Sequence, residues 1–152
     1  MQYGPMSLTA LAGATLAVQV GLNATMREHA GSPMAAALVN FAVGTVFLAV
    51  AVFSARGSFA ELAQATGAPW WAWGAGIFGG LYIAASAAFG PAIGGATFLA
   101  LIVAGQMVTA LVLDHYGLLG FPVRPLDAWR FAGALLVISG MFLLARGGGA
   151  GS

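Results

Sequence analysis

The side chains able to do chemistry are few, and most of them interrupt long apolar runs. Thr15, Gln19 and Asn23 recur at four-residue spacing, which on a helix stacks them on one face. Asn40 breaks a second apolar run, Tyr82 and Ser86 share a face of a third, and Gln106 and Thr109 neighbour each other in a fourth. An amide donates and accepts at once, so such a set suits a neutral or zwitterionic group without committing the site to a charge. An amide facing lipid is costly and one facing a cavity is not, which makes Gln19, Asn23, Asn40, Tyr82, Gln106 and Thr109 the expected lining of a crevice. The competing reading is that these groups are glue between helices, and the short hydroxyls of Thr15, Ser86 and Thr109 can also bond their own backbone. Asp114 and His115 form a second candidate, either a gate or proton site or an interfacial ion pair with Arg124 or Arg130 that fixes the following loop.

These residues must be positioned by elements that live in lipid. The chain is 61% hydrophobic and 6% charged, too few solvated side chains to cover a soluble globule of 152 residues. The charges are confined to Arg27, Glu28, Arg56, Glu61, Asp114, Arg124, Asp127, Arg130 and Arg146, with long apolar stretches between. A charge at the centre of a spanning helix costs about 2.5 to 3.5 kcal/mol, so the charge map is also a topology map.

Prolines mark the helix starts, because proline is pre-organised for the first helical position and loses nothing by lacking an amide hydrogen there. The expected spans are about 6–26 after Pro5, 34–55 after Ser32-Pro33, 70–89 after Pro69, 92–114 after Pro91, and 129–145 after a loop stiffened by Pro122 and Pro125 and capped by Asp127. The uncharged stretch from Trp70 to Leu113 is too long for one crossing, and a tight hairpin is expected at Phe89-Gly90-Pro91. Residues 1–146 thus read as one five-helix membrane domain, and 147–152 as a flexible glycine-rich tail, part native and part cloning scar. The amino terminus lacks the basic region of a cleaved signal peptide and reads as the first span. Trp70, Trp71, Trp73 and Trp129 fall near helix ends, where indole anchors in the headgroup zone.

Small residues recur every four positions at Gly76, Gly80, Ala84 and Ala88, and at Ala36, Asn40 and Gly44. Such ridges let helices approach closely, and Gly44, Gly76, Gly80 and Gly105 are the expected packing glycines. An odd number of spans places Arg56, Arg124 and Arg130 on the amino-terminal side and Arg27 and Arg146 on the other. That near-even split gives almost no orientation bias. Insertion in both directions would supply the halves of an inverted repeat, so the expected assembly is an antiparallel homodimer, a bundle of about ten helices.

Several segments together resemble one family: Gln19 to Asn23, Gly31-Ser-Pro-Met to Gly44, Pro69-Trp-Trp-Ala-Trp-Gly-Ala-Gly76, Pro91-Ala-Ile-Gly-Gly-Ala-Thr97, Ala104-Gly-Gln106 and Asp114-His-Tyr-Gly to Gly120. In this order, over nearly the whole chain, they look like the YdcZ-type family of the drug/metabolite transporter superfamily. The resemblance implies an all-α five-helix unit like half of a larger transporter, in bacterial inner membranes, partnered by a second copy or by a homologous subunit. Small multidrug exporters of that superfamily use a glutamate buried in the first helix, but nothing from Met6 to Met26 is acidic here. Cation/proton exchange by that route is disfavoured.

The reading is a small transporter subunit that moves a neutral, zwitterionic or amphipathic molecule by alternating access. Its alternatives are a lipid-binding or lipid-translocating module, and a non-transporting membrane scaffold. Net charge is only +1 and there is no basic run, which argues against nucleic acid. The absence of cysteine excludes thiolate chemistry and disulfides. With no metal-ligand spacing, no Ser/His/Asp set inside the spans and no phosphate loop, neither an enzyme nor a cofactor is expected, and the expected partners are membrane lipid, a small-molecule substrate and a second subunit.

Overall fold

The computed structural model describes residues 3–55 and 59–148, which form helices and connecting turns and, among these residues, no strand. Among the described residues, five helices are long and apolar enough to cross a membrane. Large apolar side chains stay on the outside along them, with Leu38 73%, Phe47 69%, Phe78 73% and Leu136 74% exposed. Water would expel such a surface and hydrocarbon would solvate it, so this is an all-α integral membrane protein. Arg56 lies outside the described residues, as do residues 149–152 of the expected tail. The rest divides into two compact units that meet in sequence at Pro91.

In the first unit, α1 (Tyr3–Ala30) runs four residues past its expected end at Met26 and carries Arg27 on its last turn. It stops at Gly31, whose φ of +77° is open to glycine and whose N–H donates to the Arg27 carbonyl at 2.9 Å. Ser32 then caps α2 (Pro33–Ser54) by accepting from the Ala35 N–H at 3.1 Å, with Pro33 in the first turn. A short helix, α3 (Phe59–Gln64), fills a stretch expected to be loop. The tryptophan-rich segment Trp70–Gly74 winds as a 3-10 turn and leads into α4 (Ala75–Ile93). Trp70 is 85% exposed, as an interfacial anchor would be.

The break after α4 falls later than expected. Pro91 lies inside the helix, and the chain leaves helical geometry at Gly94, whose φ of +83° favours glycine. In the second unit α5 (Gly95–Tyr116) packs along α6 (Ala128–Gly148). Gly117, with φ +64°, ends α5, and Asp127 caps α6 by accepting from the Arg130 N–H at 2.8 Å.

Candidate functional site

Asn23 is 1% exposed, on the face of α1 that meets α2 and α4. Its Nδ2 donates to Ser86 Oγ on α4 at 2.5 Å, and its Oδ1 accepts from Asn40 Nδ2 on α2 at 2.6 Å. Ser86 Oγ passes the direction on by donating to the Ile83 carbonyl at 2.8 Å. The chain therefore runs one way, from Asn40 through Asn23 and Ser86 to a backbone oxygen. Its inner end is closed and its outer end is not: Asn40 is half-buried and keeps its Oδ1 and one N–H beyond the chain.

Two close approaches hold the three helices at this distance. At Gly90 a Cβ would come within 2.8 Å of Val20 Cγ1, drawing α1 against α4 one turn from the Asn23–Ser86 bond. At Gly79 a Cβ would lie 3.0 Å from the Phe41 ring, drawing α2 against α4 beside Asn40. Ala36, Ala37, Ala84 and Ala87 are buried with them, so small residues line the contact as interhelical packing in lipid requires. Of the glycines expected to pack helices, a Cβ at Gly80 would lie in ordinary contact with Phe41, at 3.9 Å. A Cβ at Gly44, Gly76 or Gly105 would meet nothing within 4 Å among the described residues, so packing inside this chain does not call for glycine there. Inside this chain the tightest glycine positions facing another helix are Gly79 and Gly90.

Arg27 is the residue that sequence reasoning passed over. It sits one turn beyond Asn23, and its Nη1 donates to the carbonyls of Ala87 and Ala88, each at 3.2 Å. Pro91 explains the target. It has no N–H for the carbonyl four residues earlier, and its ring crowds that carbonyl, so Ala87 is left without its helical partner. The guanidinium replaces it. The signal was in the sequence, since positions 15, 19 and 23 continue to 27 on one helical face.

The other expected residues have separate surroundings. Gln19 is half-buried, makes no hydrogen bond to the described residues, and faces with Thr15, Leu16, Val18 and Leu22 into an open groove of about 420 Å³. Tyr82 packs on the buried cluster of Ala37, Ile83 and Ala84. Gln106 is exposed on α5, in the second unit, and has no hydrogen bond to a described residue. Thr109 donates to the Gly105 carbonyl at 3.0 Å and Thr15 to that of Ala12 at 2.7 Å, so both hydroxyls are spent on their own helices.

Asp114 and His115 organise the loop before α6. The Asp114 carboxylate forms a half-buried ion pair with Arg130, whose Nη1 also donates to the Arg124 carbonyl at 2.7 Å. Arg124 contributes backbone, its N–H donating to the Asp114 carbonyl at 2.7 Å. His115 Nδ1 accepts from the Leu126 N–H at 3.0 Å. Every partner of the pair is in the loop or at the start of α6, which is the arrangement of a clasp. Among the described residues no three His, Asp or Glu side chains gather as metal ligands do.

Among the described residues the chain is thus an all-α, five-span membrane protein with a buried amide chain between its helices. The family described as "Putative inner membrane exporter, YdcZ" matches residues 4–143, and the chain belongs to it. The chain is 31% identical over 137 residues to the inner membrane protein YdcZ of Escherichia coli (strain K12), covering 89% of this chain and 90% of that relative. No solved structure matches. The chain is accordingly a multi-pass inner-membrane protein, and its family supports a transport role and is not one of enzymes.

Proposed function

We propose that the chain is half of a transporter that carries a neutral, zwitterionic or amphipathic small molecule, two copies inserting in opposite orientations and rocking against each other. The observation that carries this reading is the one-way chain Asn40–Asn23–Ser86. Such bonds also serve as helix glue, and what this chain adds is an end on an amide with a spare acceptor and a spare donor, the equipment for a polar ligand. Gln19, one turn along α1, and Gln106, midway along α5 in the second unit, make no hydrogen bond to a described residue, and each is assigned to contact with the cargo. Asp114 and His115 are assigned to the clasp, with gating as the alternative.

A ligand is first sought by thermal stabilisation in liposomes, since specific binders raise apparent stability by mass action. With one in hand, Gln19→Ala or Gln106→Ala is expected to abolish flux while dimer yield stays unchanged. Loss of stability with flux retained would make these residues glue. Reporters fused to the carboxy terminus are expected on both sides of the membrane, and a signal on one side only would refute the antiparallel pair. One observation favours the lipid-module reading: an open apolar groove of about 820 Å³ in the second unit, lined by Ala96, Leu101, Leu143 and Leu144 among others, has room for part of an acyl chain.

A further inference from the structure

Arg27 has more donor capacity than its contacts use. A guanidinium carries five N–H groups in a planar fork, and both of the bonds it makes here, to Ala87 and Ala88, come from Nη1. The edge formed by Nε and Nη2 has no hydrogen bond to any described residue. Nor is the charge neutralised: among the described residues the ion pair is that of Arg130 with Asp114. Glu28 follows in sequence, but adjacent residues on a helix do not face each other.

Among the described residues, Arg130 is held by a carboxylate and a carbonyl, whereas Arg27, itself exposed, is held by carbonyls alone. The carbonyls at the Pro91 break fix one end of the fork, so the free edge is pre-organised. It is set one turn from Asn23, at the end of the amide chain's own helix face. About 20 residues of a helix fill the hydrocarbon core, and α1 has 28. Its last turn, with Arg27, therefore stands at the headgroup boundary. That is where an oxyanion arriving from water or from the lipid surface is still partly solvated and a fixed guanidinium gains most from meeting it.

We infer that the Nε–Nη2 edge of Arg27 is an anion-recognition site, which takes the carboxylate or phosphate of a small molecule or lipid headgroup one turn along α1 from the Asn23–Asn40 bond. This rests on the reading that the Asn40–Asn23–Ser86 chain belongs to the transport site, and it narrows the cargo to molecules that bear an oxyanion. A neutral remainder would then face the spare donor and acceptor of Asn40.

The test uses the full chain purified in a neutral detergent, with melting followed at constant ionic strength set by sodium chloride. One arm adds inorganic phosphate or succinate, and the other adds dihexanoyl phosphatidylglycerol. A saturable rise in melting temperature in the first arm assigns a soluble anion, and in the second a lipid headgroup; either supports the site. Arg27→Lys keeps a charge and a donor for the carbonyls but loses the planar fork, so it is expected to melt near the wild type without ligand and to bind at least tenfold more weakly. Arg27→Gln is expected to bind more weakly still. Saturation in neither arm, or the same midpoint in all three proteins, would overturn the inference. Flux in proteoliposomes separates this from the transport reading. Arg27-dependent binding without flux would leave the site standing and remove the transporter, while flux of a cargo that has no oxyanion, undiminished in Arg27→Lys, would do the reverse.

Discussion

Replacing Asn23 by leucine keeps the number and branching of the side-chain heavy atoms and deletes both interhelical bonds at once. In one membrane protein such bonds average about 0.6 kcal/mol and reach about 1.7 kcal/mol. Asn23 makes two, at 2.5 and 2.6 Å, and is 1% exposed, so the loss should lie between about 1 and 3 kcal/mol. The lower half of that range is expected, because neither former partner is left stranded: Ser86 still donates to Ile83, and Asn40 is half-buried on the open side. The assay is reversible unfolding in mixed micelles, read through tryptophan fluorescence. A double-mutant cycle with Asn40→Ala isolates the pair, with an expected coupling of about 0.5 to 1 kcal/mol. Coupling indistinguishable from zero, or a Leu variant as stable as the wild type, would refute the claim that these amides bond across the helices.

Gly90→Ala places a Cβ 2.8 Å from Val20 Cγ1 and should cost about 1 to 3 kcal/mol in the same assay, with Val20→Ala as a suppressor. Gly44→Ala meets nothing within 4 Å and should be neutral or gain up to about 1 kcal/mol from helix propensity. Pro91→Ala returns an N–H to the Ala87 carbonyl, so the destabilisation caused by Arg27→Gln should shrink by about 1 kcal/mol or more in that background; strict additivity would disprove the exchange of partners. Asp114→Asn removes a half-exposed ion pair and should cost no more than about 1 kcal/mol, while amide exchange in residues 117–127 accelerates, an effect that high salt should imitate in the wild type.

The amino-acid sequence by itself determined the solvent of this protein and the number of its spans. Apolar runs of membrane length separated by rare charges admit one physical arrangement, and the helix starts at Pro33 and after Asp127 were readable because caps act through neighbouring backbone. The clasp was half readable: Asp114 was bound to seek an arginine across a short loop, and folding chose Arg130 over the side chain of Arg124.

Tertiary structure decided the rest. Helices that are apolar all round have no preferred core face, so periodicity could align Gln19 with Asn23 but could not say which amide would meet which. The rotation of α1, α2 and α4 selected Asn23, Asn40 and Ser86, and it set the tight approaches inside this chain at Gly79 and Gly90. The same holds for the end of α4. A proline and a glycine were both visible, and the helix could pass through Pro91 and turn at Gly94 because a guanidinium from another helix takes up the carbonyl the proline leaves bare. Such a partner is far away along the chain and near only in space, which no local rule of sequence can express.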